Sequence, residues 1–298
     1  MAKILVGATS WTEKTLIDSG RFYPPEVRSA EGRLRFYAGR FPIAEVDSAY
    51  YGLPSERNAG LWAERTPPGF VFDLKAFRLF TQHPTSLDAL PADLRQALGG
   101  EPRTRLYYRD VPAEVLDELW ARFRSALRPL RAAGKLGVVL FQFPPWFVHR
   151  RAHLAYLAEL TSHLPEDRLA VEFRHRSWFV PNRVRTTLEF EREHGLAHVV
   201  VDEPQGSSAS IPSVWEATAP VAVVRLHGRN EDTWQRKGLD TAAQRFDYLY
   251  TSDELRELVA PVQALAQNVE AVHVLFNNCR SDYAPRNAAQ FQALLSEA

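Results

Sequence analysis

VEFRH, residues 171–175, alternates apolar and ionisable side chains, as do AEVDS at 44–48, FDLKA at 72–76 and VRLHG at 224–228, and the apolar run VVVDE at 199–203 also carries ionisable residues. A period of two puts alternate residues on one face of a strand, so Glu172 and Arg174 point the same way. So do Glu45 and Asp47, Asp73 and Lys75, and Arg225 and His227. The opposite phase (Val46, Leu74, Val171, Phe173, Leu226) is apolar and requires a hydrophobic layer. The charged phase must then face either water or a polar interior shared by all the strands.

Outward from these runs, eight strand-like segments lie near 3–9, 43–48, 70–76, 136–143, 168–174, 197–202, 221–227 and 271–277. Segments of helical period separate most of them, at 31–41, 55–65, 112–133, 150–163, 182–194 and 252–267, and one at 285–297 closes the chain. Ser55 after Pro54 and the Thr251 to Glu254 capping box mark two helix starts. Strand alternating with helix implies parallel pairing, which predicts an α/β, TIM-barrel-like (β/α)8 fold as a single domain over residues 1–298. Two connections depart from the ideal. Residues 77–111 form a long Pro- and Gly-punctuated loop after strand 3, and 203–220 offers no helix between strands 6 and 7. Both leave C-terminal strand ends, the functional face of such barrels, so a partial lid is expected there.

Composition narrows the class. Lys plus Arg and Asp plus Glu both number 36 in 298 residues, so no global charge draws the chain to nucleic acid or to an anionic membrane. The single Cys279 rules out an internal disulfide and a cysteine-based zinc cluster. With no signal-like N-terminus and no membrane-length apolar run, a cytoplasmic protein with no membrane partner is expected, its oligomeric state open. Serine-hydrolase elbows, Walker loops and dinucleotide-binding glycine motifs are all missing from the sequence.

Placing every strand in its polar phase yields a rung nearest the C-terminal ends of Ser10, Asp47, Lys75, Gln142, Arg174, Asp202, His227 and Asn277. Below it come Ala8, Glu45, Asp73, Leu140, Glu172, Val200, Arg225 and Leu275, and polarity fades further down. The upper rungs carry a modest acidic excess, which a divalent metal ion would balance, as would a protonated His227 with one protonated carboxyl. Acid–base chemistry would use Glu45 and Glu172 as a carboxylate pair, His227 to move a proton and Lys75 as charge or base. Arg174 and Arg225 would hold an anionic group by bidentate contact. His175 adds a further imidazole at the end of strand 5. An anion site is expected where Arg229, Asn277, Asn278 and Asn287 follow strands 7 and 8. Trp11, Tyr50, Tyr51, Trp178 and Trp234, with Tyr23, crowd the same loops and suit stacking on sugars or bases. His149 and His153, at i and i+4, have a metal-ligand spacing but no third ligand nearby. Arg103, Arg105 and Arg109 interleave with Tyr107 and Tyr108, a pattern that serves nucleic-acid contact but more often marks a solvated face.

The same segments carry a family resemblance. GATSW at 7–11, FYP at 22–24, EVDSAYYGLPS at 45–55, TPPGFVFDLKA at 66–76, LFQFPPWF at 140–147, AVEFRHRSWF at 170–179, VRLHGRN at 224–230, FNN at 276–278 and PRNA at 285–288 resemble the domain of unknown function 72 (DUF72, YecE-like) family. The resemblance implies a TIM-barrel-like fold in the cytoplasm of, most often, a prokaryote, and implies no reaction. Two departures stand out: family members usually carry Asn where this chain has Asp47, and an adjacent Thr-His where it has Thr81-Gln82-His83.

The expectation is a TIM-barrel enzyme (a hydrolase, lyase or isomerase) using carboxylate/His chemistry on a small anionic or sugar-like, polyhydroxylated substrate. The alternatives are a metal-dependent phosphodiester hydrolase acting on nucleic acid, which is less favoured, and a non-catalytic metabolite-binding protein.

Overall fold

The computed structural model describes residues 2–99, 105–205, 210–234, 236, 238–239 and 241–297. Eight parallel strands close a barrel in sequence order: β1 (Lys3–Ala8), β2 (Ile43–Val46), β3 (Val71–Lys75), β4 (Leu136–Gln142), β5 (Arg168–Glu172), β6 (Leu196–Asp202), β7 (Val221–Leu226) and β8 (Ala271–Phe276). The helices are α1 (Lys14–Ser19), α2 (Ala30–Ala38), α3 (Glu56–Glu64), α4 (Ala92–Ala97), α5 (Ala113–Ala132), α6 (Arg151–His163), α7 (Val184–Glu193), α8 (Glu231–Trp234), α9 (Ala242–Arg245), α10 (Ser252–Ala266) and α11 (Tyr283–Glu297). The expected (β/α)8 barrel is therefore present. Ser55 caps α3 through the Asn58 N–H, and Thr251 with Glu254 forms the capping box of α10.

The apolar phase of each strand meets the helices. Phe72 of β3 packs on Trp62 of α3 and on Trp11, with centroids 6.2 and 5.8 Å apart. Along α5, Val115, Leu119, Phe123, Leu127 and Leu130 recur every three or four residues and, with Trp120, are buried. Burying a large side chain of this kind stabilises the fold by about 1.5–3 kcal/mol.

Two strands depart from the simple phase reading. β4 carries a bulge against β3, where Phe72 pairs with Leu136 but Leu74 pairs with Val139. The Val138 N–H freed there donates to Asp73 Oδ1 at 2.9 Å. Gly137 has no room for a Cβ, which would fall 2.2 Å from Asp73 Oδ1, and His273 Nδ1 contacts both Asp73 oxygens at 2.9–3.0 Å. The second departure is β6, where His198 meets Glu191 of the outer helix α7 at 3.3 Å. His198, Val200 and Asp202 thus face outward, and the inward residue at the top of β6 is Glu203. An almost wholly apolar strand has no alternation to read, so the phase expected for Asp202 is corrected here.

Among the described residues, the long 77–111 connection does not form the lid. Phe77, Leu79 and Phe80 are buried, Phe80 stacks on Trp120 at 3.6 Å, and the segment contains α4. The mouth is roofed instead by described residues between 231 and 247, after β7, among them α8 and α9. Asn230 Nδ2 to the Asp247 carbonyl (2.7 Å) and Thr233 Oγ1 to the Arg245 carbonyl (2.9 Å) fasten its base. Gly228, at φ +89, lets the chain turn against Tyr248, whose Cβ would lie 2.5 Å from any Cβ at Gly228. No described helix fills the 203–220 connection, as the sequence implied.

Candidate functional site at the barrel mouth

Arg225 is the hub of the polar interior. Its Nε and Nη2 donate to the two Glu45 oxygens at 3.0 and 2.8 Å, and its Nη1 donates to Glu172 Oε2 at 2.6 Å and to Gln142 Oε1 at 3.1 Å. The guanidinium from β7 thus ties β2, β4 and β5 together, and Arg225, Glu45 and Glu172 are all fully buried. With every edge of its fork occupied, Arg225 is not free to clamp a ligand.

On the β5–β7 side the polar groups are sealed. Arg174 Nε stands 2.5 Å from Glu172 Oε1, close enough for a strong ion pair although its N–H is not aimed at that oxygen. Its Nη1 reaches Glu203 Oε2 at 3.2 Å, and its Nη2 lies 2.9 Å from His227 Nε2. The same Nε2 stands 3.2 Å from Glu172 Oε1, and Nδ1 lies 2.8 Å from Nδ2 of Asn277, whose Oδ1 accepts from Thr9 Oγ1 at 2.7 Å. Burial, then the Arg174 charge, holds His227 down to about 3, so it is neutral. Burial also acts against ionisation of Glu172, but Arg174 and Arg225 outweigh it and hold its carboxyl well below the usual range. Glu203 is pushed up to about 7 by burial. Trp234 covers Arg174 at 5.5 Å and Phe246 stacks on His227 at 5.5 Å.

On the β1–β4 side there is space. A cavity of about 630 Å³ has Glu45, Gln142 and Asn277 at its base, Asp47 and Lys75 beside them, and Trp11, Tyr50 and Tyr51 as walls. Phe246, Ala243 and Thr241 of the roof close it from above. Lys75 Nζ donates to Asp47 Oδ1 at 2.9 Å and sits 4.6 Å over the Tyr50 ring. Burial raises Glu45 to about 7 despite the opposing pull of Arg225 and Lys75. The Cys279 thiol at the edge is pushed up to about 12, chiefly by burial, and stays protonated. Glu13 also lines the cavity, but its carboxylate caps α1.

Of the residues expected from the sequence, Ser10, Trp11, Glu45, Asp47, Tyr51, Lys75, Gln142 and Asn277 line this cavity. Glu172, Arg174, Arg225 and His227 belong to the network beneath and beside it, outside the lining. The rest serve the scaffold. His175 Nδ1 accepts from the Ser177 N–H and starts a 3₁₀ turn, while Trp178 donates to the Phe147 carbonyl at 2.7 Å and stacks on Phe173 at 4.0 Å. Asp202 is taken by a bidentate contact from Arg229 (2.8–3.1 Å) and by the Tyr250 hydroxyl (2.7 Å). Asn278 Nδ2 donates to Asn287 Oδ1 and to the Tyr248 carbonyl, and Asn287 exchanges hydrogen bonds with the Tyr250 backbone. The expected anion site is thus a clasp fastening the 248–250 chain to α11. His149 and His153 are no ligand pair: His149 precedes α6, and the His153 nitrogens meet the Val148 carbonyl and Arg150 Nε. Sequence reading missed Glu203, hidden by the phase of β6, and the roof residue Phe246, which sits where no strand or helix period marks it.

The donor set also bears on the metal expected from the acidic excess. The interior carboxylates are matched to Arg225, Arg174 and Lys75, and among the described residues no three His, Cys, Asp or Glu side chains are grouped to hold a metal ion. These residues do not fit a divalent cation.

Comparison with known proteins agrees with this architecture. The sequence profile of a family described as "protein of unknown function DUF72" matches residues 5–298. The UPF0759 protein YunF of Bacillus subtilis is 33% identical over 295 residues, covering 98% of this chain and 94% of that protein. Among solved structures, a DUF72 family protein of Enterococcus faecalis superposes with a TM-score of 0.80 at 28% identity, covering 98% of this chain and 95% of that one. One from Thermotoga maritima superposes with a TM-score of 0.76 at 31% identity, covering 99% of both chains. A profile match over nearly the whole length, with the barrel beneath it, makes this chain a member of the DUF72 family.

Proposed function

We propose that this protein is an enzyme that binds a small, polyhydroxylated molecule in the mouth cavity and moves a proton on it with Glu45. The observation that carries the reading is a fully buried carboxyl raised to about 7 at the base of an aromatic-walled cavity of about 630 Å³. Such a group is available as base and as acid near neutrality. Lys75 Nζ, beside Asp47, can donate to a substrate oxygen as negative charge develops there, while Gln142 and Asn277 offer neutral hydrogen bonds. Trp11, Tyr50 and Phe246 present ring faces to the apolar side of a sugar-like ring.

Because Arg174, Arg225 and Arg229 are already paired, the substrate class narrows to neutral or weakly charged polyols. Since Glu172 lies outside the cavity lining, a two-carboxylate hydrolysis has only Glu45 of its expected pair in position. Isomerisation or elimination, which need one base, therefore fit better than hydrolysis. The metal-dependent nuclease reading has no ligand set among the described residues to rest on. Cytoplasmic location remains part of the proposal. Among the described residues no helix is long and apolar enough to cross a membrane.

The test is proton NMR of a panel of aldoses, ketoses and sugar acids incubated with the protein in D₂O. Turnover or loss of a carbon-bound proton signal is expected, with a rate that rises as pH passes about 7 and Glu45 ionises. Glu45→Gln should abolish exchange while thermal shift still reports binding. If binding occurs but neither protein exchanges or converts any panel member, the non-catalytic binding reading replaces this one.

A further inference from the structure

We infer that the outer rim beside the mouth is a docking surface for single-stranded nucleic acid. Among the described residues the large hydrophobic side chains left exposed are Tyr51, Tyr107 and Trp146, and all three fall on one strip. The Tyr51 ring meets Tyr50 at 5.0 Å, Tyr50 meets His83 at 5.3 Å, and His83 meets Trp146 at 5.8 Å. Trp146 and Tyr107 then face the same outer groove of about 340 Å³. Exposed aromatics gathered in one place, rather than scattered, call for a partner.

The strip is held rigidly. Tyr107 follows Leu106, whose N–H and carbonyl both pair with Thr85 at 2.8 Å, and Trp146 lies between Pro145 and Phe147, the latter buried and stacked on Phe143 at 3.9 Å. Side chains so placed lose little entropy on binding.

Charge selects the partner. Arg105, Arg109 and Arg150 are exposed along the strip, and the Arg78 guanidinium sits 5.3 Å over Tyr50. The groove lining holds Arg109 and Arg150 and no carboxylate; the acids beside the strip are Asp110, 3.6 Å from Arg109, and Asp47 near Tyr51, which is paired with Lys75. Flat rings interleaved with guanidinium groups match unstacked bases on a phosphate backbone. A neutral glycan would use the rings and leave the arginines without a role, and a duplex would hide its bases. The Arg105, Tyr107 and Arg109 pattern noted in the sequence lies on this strip, and Arg103 falls outside the described residues.

The test is fluorescence anisotropy of the full chain with a short labelled oligodeoxythymidylate at low salt. Saturable binding is expected, with a log–log salt slope near −2, from about 0.7 per phosphate neutralised by the three exposed arginines. Trp146→Ala with Tyr107→Ala, and separately Arg109→Glu with Arg150→Glu, should each weaken it on the order of tenfold or more while circular dichroism stays unchanged. No saturable binding, equal affinity for a hairpin duplex, or indifference to both double substitutions would overturn the inference. Quenching of tryptophan emission by a neutral maltodextrin but not by the oligonucleotide would assign the strip to glycans instead.

Discussion

The β1–β4 half of the barrel mouth and the β5–β7 half carry the same kinds of side chain at the same height, yet only the first is open. Glu45, Asp47, Lys75 and Gln142 look into a cavity, while Glu172, Glu203 and His227 are buried, with Trp234 over Arg174 and Phe246 over His227. A polar residue at the top of a barrel strand is therefore a candidate for chemistry only where the roof leaves room. Elsewhere it is part of an ion network that fixes strand positions. Substitutions in the closed half should cost stability, and those in the open half should change ligand handling.

The hub joining the halves should show the largest effect. Arg225→Ala removes the cation shared by Glu45 and Glu172 and leaves two buried carboxylates facing each other across a void. Breaking a buried pair from one side costs about 3–5 kcal/mol, so urea denaturation at neutral pH should show a loss of that size. A loss below about 1 kcal/mol would mean that the network is slack and that the two halves are not coupled.

Opening the closed half should have an intermediate effect. Phe246→Ala uncovers His227, whose neutrality comes first from burial and then from Arg174, with Glu172 opposing and Arg225 adding to Arg174. Its folded pKa of about 3 lies below the ordinary 6.5, so it contributes stability that is present above about 6.5 and lost as pH falls toward 3. Water admitted through the gap should raise that pKa and flatten this part of the acid loss. His83, also near 3, faces Lys75, Arg78 and Arg174 and titrates in both proteins, whereas Glu45, near 7, shares the Phe246 roof, so the imidazole NMR titration and not the stability difference isolates His227. Because Phe246 is only half-buried, the expected cost at neutral pH is roughly 0.5–3 kcal/mol, together with an imidazole NMR titration moved upward. An unmoved titration would show that Arg174, not the roof, governs His227.

Much of the barrel was legible because eight strands and seven helices each obey a period, and the caps at Ser55 and Thr251 are local chemistry. Three features were not, for physical reasons. The polar residues within β6, His198 and Asp202, mark its outward face, so its inward residue, Glu203, is hidden by the phase. The β4 bulge is a register event that only the Asp73 to Val138 hydrogen bond reveals. The open and closed halves differ through Trp234 and Phe246, contributed by short helices and loop too brief for periodicity to mark. The rung pattern correctly grouped Asp47, Lys75, Gln142 and Asn277 at the mouth, but it treated Arg174 and His227 as their equals because composition carries no measure of what covers a side chain.

The smallest structural effect, and the sharpest test of the open half, concerns Asp47. DUF72 members usually carry Asn there, and Asp47 keeps a third of its side chain exposed while it accepts from Lys75 at 2.9 Å. Asn retains an acceptor for that N–H and removes one negative charge. Because the acceptor is kept and the lost charge sits on a side chain a third exposed to water, the cost is about 1 kcal/mol or less, so Asp47→Asn should leave the denaturation midpoint nearly unchanged. Its effect on ligands should be larger, because Lys75 would face the cavity without a counter-ion. Affinity for sugar acids should then rise relative to the matching neutral sugars, on the order of tenfold if about 1.4 kcal/mol of attraction is released. Calorimetry with an aldonate and its parent aldose on both proteins measures this directly. An unchanged preference would mean that Lys75 is held away from ligand by Tyr50, and the electrostatic part of the site would pass to Glu45 alone.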